Sequence, residues 1–197
     1  MGVYMNSWRP LILGLAAASM WAGAASGGEN MPLKERIELC GSCHGDDGNS
    51  RSEKIPSLAG QPEFFILNQL FLMREGVRKI EVMAPYVKDL TDADLEGLAK
   101  HYASLAPKPS GEPIDAASVK RGSELAVNLR CASCHLPTFS GREQMPRLAK
   151  QRVDYLIDTL KAYRDNARAG ADSAMTAVII GLPDADLAAL AHFVASK

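Results

Sequence analysis

Four cysteines carry the strongest chemical signal in this chain, at positions 40, 43, 131 and 134. They form two C-x-x-C pairs, each followed at once by histidine: Cys40-Gly41-Ser42-Cys43-His44 and Cys131-Ala132-Ser133-Cys134-His135. No cysteine lies outside the motif. Three chemistries use such a pair. A redox disulfide needs two thiols in a strand–helix setting of the thioredoxin kind. A zinc site would have to bring the two pairs together across 91 positions, each pair serving as half a site. Covalent haem attachment uses thiols at i and i+3, which add to the two vinyl groups of one porphyrin, with the next histidine beneath the iron. The immediate histidine and the use of every cysteine favour the third. Cys40, Cys43, Cys131 and Cys134 are then the attachment points of two haem c groups, and His44 and His135 are iron ligands.

Each iron needs a sixth ligand, or an open site if it does chemistry. Most methionines fill cores, and Met73 on its amphipathic helix and Met145, which aligns with Ile55, fit that use. Met83 and Met175 differ because they align with each other. They follow their histidines by 39 and 40 residues, in loops that are otherwise diverged. A shared methionine at that place is what thioether ligation predicts, so Met83 and Met175 complete the expected ligand set. His101 and His192 have no repeat partner and are expected to pack rather than ligate. Pro56 and Pro146, 12 and 11 residues after the histidines, place a carbonyl where it could accept the Nδ1–H of each imidazole.

The elements that must position these residues come in two copies. Pro56-Ser57-Leu58-Ala59-Gly60-Gln61 recurs as Pro146-Arg147-Leu148-Ala149-Lys150-Gln151, and Leu90-Thr91-Asp92-Ala93-Asp94-Leu95 recurs as Leu182-Pro183-Asp184-Ala185-Asp186-Leu187. The fold class is all-α. Leu95, Leu98, Ala99 and Tyr102 make one helical stripe, capped by Thr91 with Asp94 at the third position. Leu187, Leu190, Ala191 and Val194 repeat it. A second pattern runs through Phe64, Ile66, Leu67, Leu70 and Phe71, echoed by Tyr155, Leu156, Thr159 and Leu160. Short helices precede each cysteine motif, around Leu33–Leu39 and Ser118–Leu129.

Three prolines and a glycine between Ala106 and Pro113 cannot continue a helix and stiffen an extended connection. The expected organisation is a domain over 25–105, a Pro-rich linker over 106–115 and a second domain over 116–197. Domains of about 80 residues are only marginally stabilised by an apolar core. A large buried cofactor would help supply the missing core. Residues 1–24 read as a signal peptide: Arg9, an apolar run from Leu11 to Trp21, then Ala22-Gly23-Ala24 before the cut. The run is short for a span of about 20 apolar residues, though an uncleaved anchor is the alternative. Export puts the mature chain in the periplasm.

The 197 residues carry 22 basic and 23 acidic side chains, a net charge of -1, with 47% hydrophobic residues. That balance argues against a nucleic-acid binder. It also conceals asymmetry, since Ala25–Ala106 holds 13 acidic and 9 basic residues and Pro107–Lys197 holds 10 and 12. Halves of opposite sign are expected to face different partners.

With these motifs in hand, each half resembles a class I cytochrome c domain. The tandem closely resembles the dihaem cytochrome c4 family over about residues 30–196. The two C-x-x-C-H motifs, the Pro-x-Leu-Ala-x-Gln segments, the methionine loops and the L-x-D-A-D-L helix starts carry the likeness. The resemblance implies a periplasmic electron carrier, soluble or loosely membrane-associated, with one His/Met haem per domain. It also implies a pseudo-two-fold between domains and haem propionates near their interface. The partners it implies are a redox donor and acceptor, for example a membrane cytochrome complex or terminal oxidase. Two rivals share the chemistry: an electron-transfer subunit of a larger dehydrogenase of the flavocytochrome type, and a haem enzyme with one open iron. The longer loop before Met175 and Pro183 in place of Thr91 are the departures from strict repetition.

Overall fold

The fold was analysed in a computed structural model, which describes residues 1–2, 31–168, 170 and 173–197. The expected leader, 1–24, lies outside the described residues apart from its first two. The first half contains α1 (Leu33–His44), α2 (Glu63–Arg74), α3 (Ala84–Val87) and α4 (Asp92–Ser104). The second contains α5 (Ala116–Asn128), α6 (Ala132–His135), α7 (Val153–Arg164), α8 (Ser173–Ile179) and α9 (Asp184–Ala195). Among the described residues the one β feature is an isolated bridge between Arg142 and Met145. No single described helix is long and apolar enough to cross a membrane.

Two separate cores form, each drawn from one half of the chain. Ile66, Val87, Leu90, Leu95, Leu98, Ala99 and Tyr102 make the first. Ala126, Phe139, Val153, Leu156, Leu190, Ala191, Phe193 and Val194 belong to the second. Both stripes expected on the last helices are therefore buried. The stripe expected on α2 is only partly so. Ile66 is buried and Phe65 packs on the core, whereas Phe64 is 52% and Phe71 44% exposed. A 3.6-residue period marks which side chains share a face, but Phe64 in the first turn lies at the rim of that face.

The first and last helices of each half cross closely, and each crossing uses a glycine from the opposite partner. In the first half Leu33 of α1 enters over Gly97 of α4, where an added Cβ would lie 2.7 Å from Leu33 Cδ2. In the second half Gly122 of α5 takes the contact, and an added Cβ would run into the Ala189 carbonyl of α9. An ion pair reinforces both crossings: Arg36 Nε with Asp94 at 2.9 Å, and Arg121 with Asp186.

Helix starts follow their sequences. Thr91 and Asp94 form a reciprocal capping box on α4, with Thr91 N–H donating to Asp94 Oδ2 at 2.9 Å. Pro183 at the equivalent place gives α9 no side-chain cap. Backbone conformation is kept where sequence is not. Gly45, Gly48 and Gly60 have φ of +85°, +70° and +65°, and their counterparts Leu136, Phe139 and Lys150 have +69°, +53° and +59°. At Gly48 and Phe139 the reason is visible. The Gly48 carbonyl accepts from Leu58 and Ala59, and the Phe139 carbonyl accepts from Leu148 and Ala149, so one left-handed residue closes the same loop in each half.

Gly122→Ala should destabilise the second domain by about 1–3 kcal/mol, because a backbone carbonyl cannot give way. Gly97→Ala, which meets the end of a flexible leucine, should cost clearly less. Chemical denaturation of the two variants decides this, and equal losses would contradict the packing argument. Burial works against ionisation of Asp94, yet hydrogen bonds from Thr91 and the Arg36 guanidinium outweigh it and hold the carboxyl below its ordinary value. Its contribution is therefore complete above the unfolded value and is lost as pH falls through the lower folded one. Acid unfolding of Asp94→Asn, followed by helical circular dichroism from about pH 5 downward, should show a shallower pH dependence than the parent. A parallel curve would refute the assignment.

Candidate functional site

The first cysteine motif forms the last turn of α1, so Cys40, Cys43 and His44 are set by one continuous helix. The second is built differently. α5 ends at Asn128, Arg130 turns left-handed at φ +56°, and Cys131 opens the short α6 that ends on His135. In both, the first cysteine is half-buried against its own core and the second is exposed. Burial raises the Cys40 and Cys131 thiols above their ordinary value. Among the described residues no three His, Cys, Asp or Glu side chains converge, so the two cysteine pairs do not combine into one zinc-type cluster.

His44 and His135 are 7% and 8% exposed. His44 Nδ1 donates to the Pro56 carbonyl at 2.8 Å, and His135 Nδ1 donates to the Pro146 carbonyl at 2.9 Å. A carbonyl only accepts, so the bonded nitrogen carries the proton and Nε2 is left with its lone pair. Burial, which outweighs the bond to the proline carbonyl, lowers both imidazoles from their ordinary value and keeps them neutral. A neutral, oriented ring with a free Nε2 is a prepared metal ligand.

Met83 lies in the turn that leads into a short helix, whereas Met175 lies within one rather than in an open loop. Met83 immediately precedes α3 and packs against the first core, which Cys40 also touches. Met175 is half-buried within α8, which packs on α7. An arginine at the end of the preceding long helix clamps the base of each segment. Arg74 Nη1 donates to the Leu90 carbonyl at 3.0 Å and to Asp92 at 2.7 Å. Arg164 Nη1 donates to the Leu182 carbonyl at 3.1 Å and to Asp184 at 2.6 Å. No local pattern marks the clamps in the sequence, although Arg74 and Arg164 stand at the repeat offset. His101 lies edge-on to Tyr102, and His192 Nδ1 accepts from the Asp115 N–H at 3.4 Å.

The halves meet along the two Pro-x-Leu-Ala-x-Gln segments. Gln61 reaches across to both backbone groups of Arg147, each at 2.9 Å, and Gln151 reaches back to both backbone groups of Ser57, each at 2.8 Å. Arg147 Nη2 donates to the Ala59 carbonyl at 2.7 Å, and Lys54 N–H donates to Asp154 at 2.9 Å. Arg78 and Arg168, another repeat pair, share the Gln69 side-chain oxygen at 2.6 and 3.4 Å. Burial would raise the nearby Tyr155 phenol, but the Arg168 and Arg78 guanidiniums hold it below its ordinary value. Burial lowers Arg147 to about 10.

These residues fit a planar, apolar group with an anionic edge. Val82 and Tyr86 flank Met83, and Val178 and Ile180 follow Met175, all exposed apolar side chains that such a group would cover. Arg78, Arg147 and Arg168 form no ion pair among the described residues, and Arg147 Nε is buried without a hydrogen-bond partner there. Cavities beside the methionine segments occupy equivalent places. One is lined by Met73, Arg78, Lys79, Ile80, Glu81 and Val87, the other by Asn166, Arg168, Ser173, Thr176 and Ile180, and neither is lined by Met83, Met175 or a motif residue. Guanidiniums with no carboxylate ion-paired to them among the described residues would suit the propionates of a haem.

Comparison with known proteins agrees. Residues 119–197 match the Cytochrome c family model. Cytochrome c4 of Azotobacter vinelandii is 30% identical over 202 residues, covering 93% of this chain and 94% of that protein. A protein of Thiomonas intermedia described as a thiosulfate dehydrogenase electron acceptor is 31% identical over 201 residues, covering 96% and 91%. The crystal structure of reduced cytochrome c4 from Pseudomonas stutzeri superposes with a TM-score of 0.74 at 28% identity, covering 84% of this chain and 98% of that one. The chain belongs to the cytochrome c4 family: it is a haem-binding c-type cytochrome of two tandem domains, and it carries electrons rather than catalysing a reaction.

Proposed function

We propose that this protein is a periplasmic carrier with two covalently attached haems, one per domain, that passes electrons between a redox donor and an acceptor. The domains are 25–105 and 116–197, joined by 106–115 and preceded by a leader cleaved after residue 24. Cys40 and Cys43 hold the first haem, with His44 and Met83 as ligands. Cys131 and Cys134 hold the second, with His135 and Met175. The observation that carries the reading is the pair of buried, neutral imidazoles, each fixed by its proline carbonyl so that Nε2 alone is free. A haem held by these residues would supply an iron that changes valence, and a thioether from Met83 or Met175 would favour its reduced state.

The chain's own residues do the remaining work. The proline carbonyls orient the imidazoles, and the Arg74 and Arg164 clamps hold the methionine segments closed at their bases. Arg78, Arg147 and Arg168 balance the anionic edges of the two groups, and the Gln61 and Gln151 contacts hold the halves together. A second reading is favoured by the Thiomonas intermedia relative: the donor is a sulfur-oxidising dehydrogenase, and this chain accepts its electrons.

A haemochrome assay of the mature protein should count two covalent haems per chain. Met83→Ala and Met175→Ala should each remove about half of the sulfur-to-iron charge-transfer absorption, and a variant that leaves it intact would unseat that methionine. Arg74→Gln should make added imidazole displace Met83 more readily, by up to about tenfold in affinity, the equivalent of ~1.4 kcal/mol. Unchanged imidazole titration would show that the clamp does not hold the loop. Reduction by thiosulfate with a dehydrogenase present separates the second reading from a general carrier.

A further inference from the structure

The proline carbonyl that orients each imidazole belongs to a peptide group whose other end leaves the domain. The Pro56–Ser57 peptide accepts from His44 at its oxygen, at 2.8 Å, and donates from its nitrogen to Gln151 Oε1, also at 2.8 Å. The Pro146–Arg147 peptide accepts from His135 at 2.9 Å and donates to Gln61 Oε1 at 2.9 Å. Each glutamine is fixed in this orientation by a bond from Nε2 to the carbonyl of the same residue, and Gln151 Oε1 also accepts from the Arg152 N–H at 2.9 Å. Gln61 and Gln151 are 4% and 2% exposed, and Ser57 and Arg147 are 1% and 4%. Two three-member relays therefore cross the interface in opposite directions, imidazole to peptide to glutamine.

From this geometry we propose that Gln151 is a positioning residue for the haem held by His44, and Gln61 for the haem held by His135. Each domain thus tunes the iron of the other. A peptide is one conjugated unit, so accepting its N–H pulls electron density toward its oxygen and makes that oxygen a better acceptor. Hydrogen bonds in series strengthen one another by perhaps 10–30% per bond in a low-dielectric setting. A stronger acceptor at Nδ1–H makes Nε2 more electron-rich, as outer partners of a ligating histidine do. That favours the oxidised iron, so each glutamine lowers the potential of the haem across the interface. The idea rests on the His ligation proposed above.

The test uses the full haem-loaded protein and the variants Gln151→Leu and Gln61→Leu. Two readings are taken: the imidazole Nδ1–H resonances of the ferrous, diamagnetic protein, and both potentials by spectroelectrochemistry. Gln151→Leu should move the His44 Nδ1–H resonance upfield and raise the potential of the first-domain haem, leaving His135 and the second haem unchanged. Gln61→Leu should do the reverse. Shifts of both haems together, no shift, or a shift in the variant's own domain would overturn the relay. If a leucine variant does not fold, Gln151→Glu keeps the acceptor and loses the donor. It should lower the first-domain potential alone, and an equal fall at both irons would be a plain charge effect that overturns the proposal. Loss of the Nδ1–H resonances in the parent would instead count against His ligation, so the two failures are distinguishable.

Discussion

The hydrogen bond from a buried imidazole to a proline carbonyl is the constraint around which each half is built. A neutral ring in an apolar setting needs its N–H satisfied, and the partner lies 12 residues away for His44 and 11 for His135. Bringing that carbonyl back requires a tight loop, and the loop turns through left-handed residues at Gly45 and Gly48 or their counterparts Leu136 and Phe139. It also requires a floor. The crossing of first and last helices supplies it, which explains why those two helices approach closely enough to exclude a side chain at Gly122.

Divergence between the halves shows which parts of this arrangement are geometric and which are chemical. Left-handed turns survive the exchange of Gly48 for Phe139, a buried ring packed edge-on against Phe193. The strain of a non-glycine there is offset by apolar burial in the second core. The close helix contact survives a transfer of its glycine from α4 to α5. By contrast, the arginine clamps, the glutamines and the motif histidines keep their residue type, because each uses a specific donor or acceptor.

At the interface this distinction has a functional side. The cores are separate, so the halves are held by hydrogen bonds and cations rather than by shared apolar packing. Such a joint fixes the geometry through directional bonds. Electron transfer benefits from fixed distance and orientation. The same joint brings Arg78 and Arg168 from the two halves onto one Gln69 oxygen and carries Arg147 across to the Ala59 carbonyl.

Cysteine spacing, the adjacent histidines and the internal offset made haem attachment and a two-fold repeat legible from residues alone, because covalent attachment requires a fixed local spacing. Helical period located the buried stripes of α4 and α9, and Thr91 with Asp94 marked a helix start, since both are interactions within a few residues. The positions of Pro56 and Pro146 point to a loop turn or to a nearby backbone carbonyl for each imidazole, and the structure shows that the prolines' own carbonyls take that part. Tertiary structure alone decided which face of α2 is covered, that Met175 sits on a short helix while Met83 stands in the turn before one, and that Arg74 and Arg164 close their segments. Gln61 and Gln151 stood in the sequence as a repeated letter without a role. Their role depends on contact between residues 86 and 94 positions apart, which no local pattern encodes. It follows instead from how two folded halves fit together.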